Sequence, residues 1–237
     1  MLSIGIIYPE LKILSKIDNI KGLENKAKKL DYNTILALEN VENITSLISA
    51  IESNWNTDEN DFGIIFKDSN NNHKCYHINI HEIISIEDKN ILLKAFTFGA
   101  SKGVMKAWKN YFSKGIEEAN LWTNLKQSER QGWLELAMAF QNVENSVSKS
   151  EAIIDGKYIK SVEDFYCSLG EAINGSGGYF GRNYNALIDC IRSLEFGGND
   201  IKKIYWKNSK KSRWKLKNHF KIILEVFNDY GIEIILE

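Results

Sequence analysis

From Ala152 to the end of the chain, short apolar runs alternate with amphipathic segments in an order that leaves few folds open. Ala152-Ile153-Ile154-Asp155-Gly156 has the form of a strand ending in a turn. Ser161 stands three residues ahead of Asp164, the spacing of a reciprocal helix cap, and Val162, Phe165, Leu169 and Ile173 give the following helix one apolar stripe. A second helix is expected over 183–194, with Leu187, Ile191 and Leu194 facing inward. Residues 201–206 read as a strand, 217–230 as a helix stopped by Gly231, and 232–236 as a final, nearly continuous apolar strand. The order β, α, α, β, α, β predicts a small parallel three-stranded sheet covered by helices, an α/β domain over 152–237.

The earlier part of the chain reads as an α+β domain of unknown fold and function, over 1–145. Residues 1–14 form a strand and its exit in this reading, and Val41, Ile44, Leu47, Ile48 and Ile51 recur at helical spacing over 40–55. Extended segments at 62–67 and 73–80 flank Asp68-Ser69-Asn70-Asn71-Asn72, whose asparagines suit a hairpin turn. A long helical region is expected over 87–143, carrying Leu92, Leu93, Phe96 and Trp108 and breaking near 99–103 and near Gly115. The polar stretch 142–150 has little to bury and reads as the linker between the two domains.

Charge and composition restrict the chemistry. A formal net charge of −1 excludes gripping nucleic acid by bulk charge, so any electrostatic partner is met locally. Cys75, Cys167 and Cys190 are an odd number at unrelated spacings, as expected of free thiols in a reducing compartment. No signal peptide and no run of about 18 apolar residues is found, so no membrane association and a cytoplasmic location are expected. Gly175-Ser176-Gly177-Gly178 completes neither a dinucleotide fingerprint nor a phosphate loop, and there is no serine nucleophile elbow. His73, Cys75, His77 and His81 fall on one side of an extended strand, but a closed metal site needs ligands from a second element, so they read as the polar face opposite Tyr76, Ile78 and Ile80. The six tryptophans read as packing residues. Neither an enzyme, a cofactor nor a metal is implied.

The chemistry concentrates in Gly178-Tyr179-Phe180-Gly181-Arg182-Asn183-Tyr184-Asn185-Ala186-Leu187-Ile188-Asp189-Cys190-Ile191, an aromatic glycine-bounded loop followed by a short amphipathic helix with a single acid. On a helix, Asn185, Asp189 and Arg192 lie opposite Leu187, Ile191 and Leu194 and are free to meet a partner. Tyr179 and Phe180 stand either as exposed anchors of a binding loop or as aromatics packed inward behind a glycine turn.

This segment, within 152–237, resembles the barstar-like ribonuclease inhibitors. The resemblance implies a protein partner, a cognate ribonuclease or nuclease toxin, whose active site would be occluded by Tyr179, Phe180, Arg182, Asn183, Asn185, Asp189 and Arg192. Tyr179 matches the family's interfacial tyrosine and Asp189 its main inhibitory aspartate, which takes the place of an RNA phosphate. Asn185 and Lys221 fall where barstar carries acids, and Ile188 replaces an aromatic. Those changes remove two negative charges and add a positive one, which favours a target with a less basic or partly acidic cleft.

Nine lysines and arginines and no acid lie between Lys202 and Lys221, with Trp206, Trp214 and His219 interleaved. Such a segment reads as a solvated edge, as a contact for an acidic partner, or as an RNA-binding regulatory module. The inhibitor is the leading reading, and the RNA-binding module is the alternative.

Overall fold

The computed structural model describes residues 1–24, 33–54, 61–141, 149–193 and 200–237. They divide into two compact units, Met1–Lys114 and Gly115–Glu237. Residues 115–141 pack with the C-terminal elements: Asn120 and Trp122 donate to Glu171, and Arg130 pairs with Asp164. Residues 142–148 of the 142–150 stretch, Trp55 and Leu194 lie outside the described residues.

In the first unit, β1 (Leu2–Ile6), β2 (Lys12–Lys16), β3 (Asn19–Lys21), β4 (Thr34–Glu39), β5 (Phe62–Lys67), β6 (His73–Glu87) and β7 (Asn90–Thr97) form one sheet in the order β2-β1-β5-β6-β7-β4-β3. Every neighbouring pair is antiparallel. The expected hairpin is β5–β6: Asp68 Oδ1 accepts from the backbone N–H of Asn70 (2.9 Å) and Asn72 (2.8 Å), and Asn71 takes the left-handed conformation. Helix α1 (Ile44–Ser53) buries Leu47 and Ile51 within the expected 40–55 span.

The long helix expected from residue 87 is not formed at its start. Ile91, Leu93, Ala95 and Thr97 are buried while Leu92, Lys94 and Phe96 are half-buried, a period of two that belongs to strand β7. A tight turn with Asp88 at positive φ returns β6 onto β7. Helix proper begins at α2 (Val104–Asn110) and resumes, after short 3₁₀ turns, at α3 (Arg130–Phe140). Gly99, Gly103 and Gly115, at the expected breaks, all have positive φ. The histidine row lies on β6 opposite buried Tyr76, Ile78 and Ile80, and His77 Nε2 sits 2.8 Å from Asp61 Oδ1. No group of three metal-ligating side chains comes together among the described residues.

In the second unit, β8 (Glu151–Asp155), β9 (Lys203–Lys207) and β10 (Glu233–Leu236) form a parallel sheet in the order β10-β9-β8. The crossover from β8 to β9 carries α4 (Val162–Asn174) and α5 (Tyr184–Arg192); that from β9 to β10 carries α6 (Ser209–Leu216) and α7 (Asn218–Asp229). This is the small α/β fold that the alternation predicted, with α6 added. Trp206 on the central strand is fully buried, stacked on Phe165 of α4 at 5.3 Å and tilted against Phe220 of α7 at 4.9 Å. Leu169, Leu187, Ile204, Ile223 and Phe227 complete this core.

The cap at the head of α4 forms as its spacing requires. Ser161 Oγ accepts from Asp164 N–H (3.3 Å), and Asp164 Oδ2 accepts from the N–H groups of Ser161 (3.1 Å) and Lys160 (2.8 Å). Asp164 is sealed from solvent and pairs through its other oxygen with Arg130 of α3.

Candidate functional site

Helix α5 is set at a fixed angle by its own cap. Asn183, in extended backbone, accepts from Ala186 N–H through its side chain at 2.9 Å and satisfies one of the amides that a helix start leaves open. Leu187, Cys190 and Ile191 then face inward, while Asn185, Asp189 and Arg192 are exposed along the opposite side, with exposed Asn183 at its head and half-buried Arg182 just before it. Ile188 is half-buried beside them. Asp189 is the one carboxylate on the helix.

The two aromatics are placed otherwise than as exposed anchors. Tyr179 is 2% exposed and Phe180 fully buried, so the inward-packed alternative holds. Tyr179 N–H donates to Gln141 Oε1 (3.0 Å), and its carbonyl accepts from Asn174 Nδ2 (2.7 Å). Burial pushes the Tyr179 phenol up to about 12. Arg182 stands 3.9 Å from Glu135 of α3. The loop is therefore held between α4 and the segment 115–141, with its aromatics turned inward.

Glu171 of α4 fastens the same loop from beneath. Its Oε2 accepts from Asn120 N–H (2.7 Å) and Trp122 Nε1–H (3.1 Å), and its Oε1 from Gly177 N–H (3.2 Å). The sequence signal for this residue is an acid inside the apolar run Phe165-Tyr166-Cys167-Ser168-Leu169-Gly170-Glu171-Ala172-Ile173, a pattern that requires a buried polar partner. Gly170 permits the close approach: a Cβ there would lie 2.3 Å from the Gly178 carbonyl oxygen. Gly170→Ala is expected to destabilise the unit by about 1–3 kcal/mol through overpacking, read as a lowered denaturation midpoint; an unchanged midpoint would show that the loop yields freely.

The basic segment is split by the fold. Trp206 is core, whereas Trp214 on α6 is 72% exposed with Lys215 Nζ 4.5 Å from its ring centre. Lys210, Lys211, Lys217, His219 and Lys221 are also exposed. Cys167 and Cys190 are buried thiols and Cys75 is half-buried. Trp108, Trp122, Trp133 and Trp206 are buried, as packing residues should be, whereas Trp214, on the outer side of α6, is not a packing residue. No helix among the described residues is long and apolar enough to cross a membrane.

No curated protein matches the chain. Residues 150–234 match the family model described as Barstar (barnase inhibitor), and with its three-stranded parallel sheet and capped helices the C-terminal part of this chain is a barstar-like domain.

Proposed function

We propose that this protein inhibits a cognate ribonuclease, as the cytoplasmic immunity partner of a nuclease toxin, and that it acts by occlusion without catalysis. The observation that supports this reading most is the solvent-facing side of α5, where Asn185, Asp189 and Arg192 are exposed on a rigid, capped helix within the stretch that matches the barstar family. A carboxylate held out on such a helix can occupy the place of a phosphate in a nuclease cleft. Arg182 and Asn183 flank it, and Tyr179 and Phe180 contribute by holding the loop in place. Exposed Arg192 and Lys221 accompany the single acid, so the cleft that fits this face carries acidic groups beside its cationic ones.

Asp189→Ala is expected to weaken binding to the ribonuclease by about 2 kcal/mol or more, as at charged hot spots, while leaving the thermal unfolding temperature unchanged. Calorimetric titration against the ribonuclease measures it, and equal affinity of variant and wild type would remove Asp189 from the mechanism. The exposed pairing of Trp214 with Lys215 favours one further reading, an RNA-binding module on α6 and α7. RNA affinity that falls steeply with salt in the absence of any protein would support that module, and no RNA binding at low ionic strength would dismiss it.

A further inference from the structure

An open cleft of about 460 Å³ lies where the heads of α4 and α5 meet the corner between α6 and α7. Ser161, Val162 and Glu163 of α4 and Asn183 and Tyr184 of α5 form part of its wall. Each of these helices leaves first-turn N–H groups without intrahelical acceptors, and the caps satisfy only Asp164 N–H on α4 and Ala186 N–H on α5. Two positive helix ends therefore open onto one space. Lys160, Arg182 and Lys215 line it as well, three cations against the single carboxylate of Glu163.

A second, independent feature points into the same cleft. Tyr166 lines it, yet its side chain has no exposed surface and its buried hydroxyl has no hydrogen-bond partner. Tyr184 and Glu163 line the cleft beside it. A buried hydroxyl left unpaired is a net cost to folding, and here it is a neutral donor beside a cationic wall. On another side the rings of Tyr184 and His219 stack with centres 5.9 Å apart, an aromatic shelf next to the helix ends.

We propose that this cleft binds a phosphomonoester of the nucleoside monophosphate class, with the phosphate at the paired helix heads and the base against the Tyr184–His219 shelf. The volume suits a ligand larger than phosphate alone. The donors form a set that a dianionic tetrahedral group saturates: backbone N–H groups, the Lys160, Arg182 and Lys215 side chains, and the Tyr166 hydroxyl. The site does not rest on the inhibitor reading: it shares Arg182 and Asn183 with the flank of that face, but Asp189 is not part of its wall, and ribonuclease and nucleotide binding are read in separate titrations.

The test is calorimetric titration of the full chain with adenosine 5′-monophosphate, ribose 5-phosphate and inorganic phosphate at low ionic strength, repeated with Lys215→Gln and Tyr166→Phe. Adenosine 5′-monophosphate is expected to bind at one saturable site and more tightly than the other two. Lys215→Gln should weaken it by about tenfold. Tyr166→Phe should weaken it by about threefold or more, with ligand-free thermal stability equal to or above wild type, which separates a lost donor from a lost fold. Absence of saturable binding by all three, or binding that both variants leave untouched, would overturn the proposal.

Discussion

Asp164→Ala is expected to cost the Gly115–Glu237 unit about 3–5 kcal/mol, the range for breaking a buried ion pair and stranding its partner. The carboxylate has no exposed surface, caps α4 through Ser161 and Lys160, and pairs with Arg130, which is itself 8% exposed and lies over the Trp122 ring at 5.2 Å. Truncation leaves a guanidinium buried without its counter-charge and two amides without their acceptor. Arg130→Ala should have a similar effect, whereas a double replacement by apolar residues of similar volume should recover much of the loss. Denaturant unfolding of the three variants decides it; a loss below about 1 kcal/mol in both single variants would mean that the pair behaves as a surface pair does.

Glu171→Leu is expected to be nearly as damaging. Three N–H donors, those of Asn120, Trp122 and Gly177, lose their acceptor together, and each buried orphan costs about 1–3 kcal/mol. Glu171 also makes stability depend on pH. Burial raises its carboxyl above the ordinary value of 4.5, against the opposing effect of the N–H groups of Asn120, Gly177 and Trp122. Between the ordinary and the raised value the folded unit holds this proton after the unfolded chain has released it, so the contribution of Glu171 falls as pH rises through that window. Glu171→Gln should abolish that part of the pH slope and cost less than leucine, because one acceptor oxygen remains. Unfolding midpoints of wild type and glutamine variant with identical pH slopes would contradict this.

Short-range signals are legible in the sequence and long-range ones are not, for physical reasons. The cap of α4 needs only Ser161 and Asp164 three residues apart, and the parallel sheet follows from the alternation of elements after Ala152. Strand β7 was hidden because Leu92, Leu93 and Phe96 also fit a helical repeat, and the alternation of burial that settles the matter depends on pairing with β4 and β6. Helix α6 escaped hydrophobic periodicity because its buried side is Ser209, Ser212 and Leu216, two of them polar. The exposed face of α5 followed from its own periodicity, whereas the burial of Tyr179 involves Gln141, 38 residues earlier in the chain, which no local pattern reveals.

The α5 face is proposed to close a ribonuclease active site. The measurement that tests it most directly is a stoichiometric titration of ribonuclease activity, using the nuclease captured from the native cell on the intact protein, with wild type and Asp189→Arg in parallel. Activity should fall linearly to zero at one equivalent of wild type and persist with the variant. Full inhibition by Asp189→Arg at the same equivalence point, or captured ribonuclease that stays active when saturated with wild type, would contradict it.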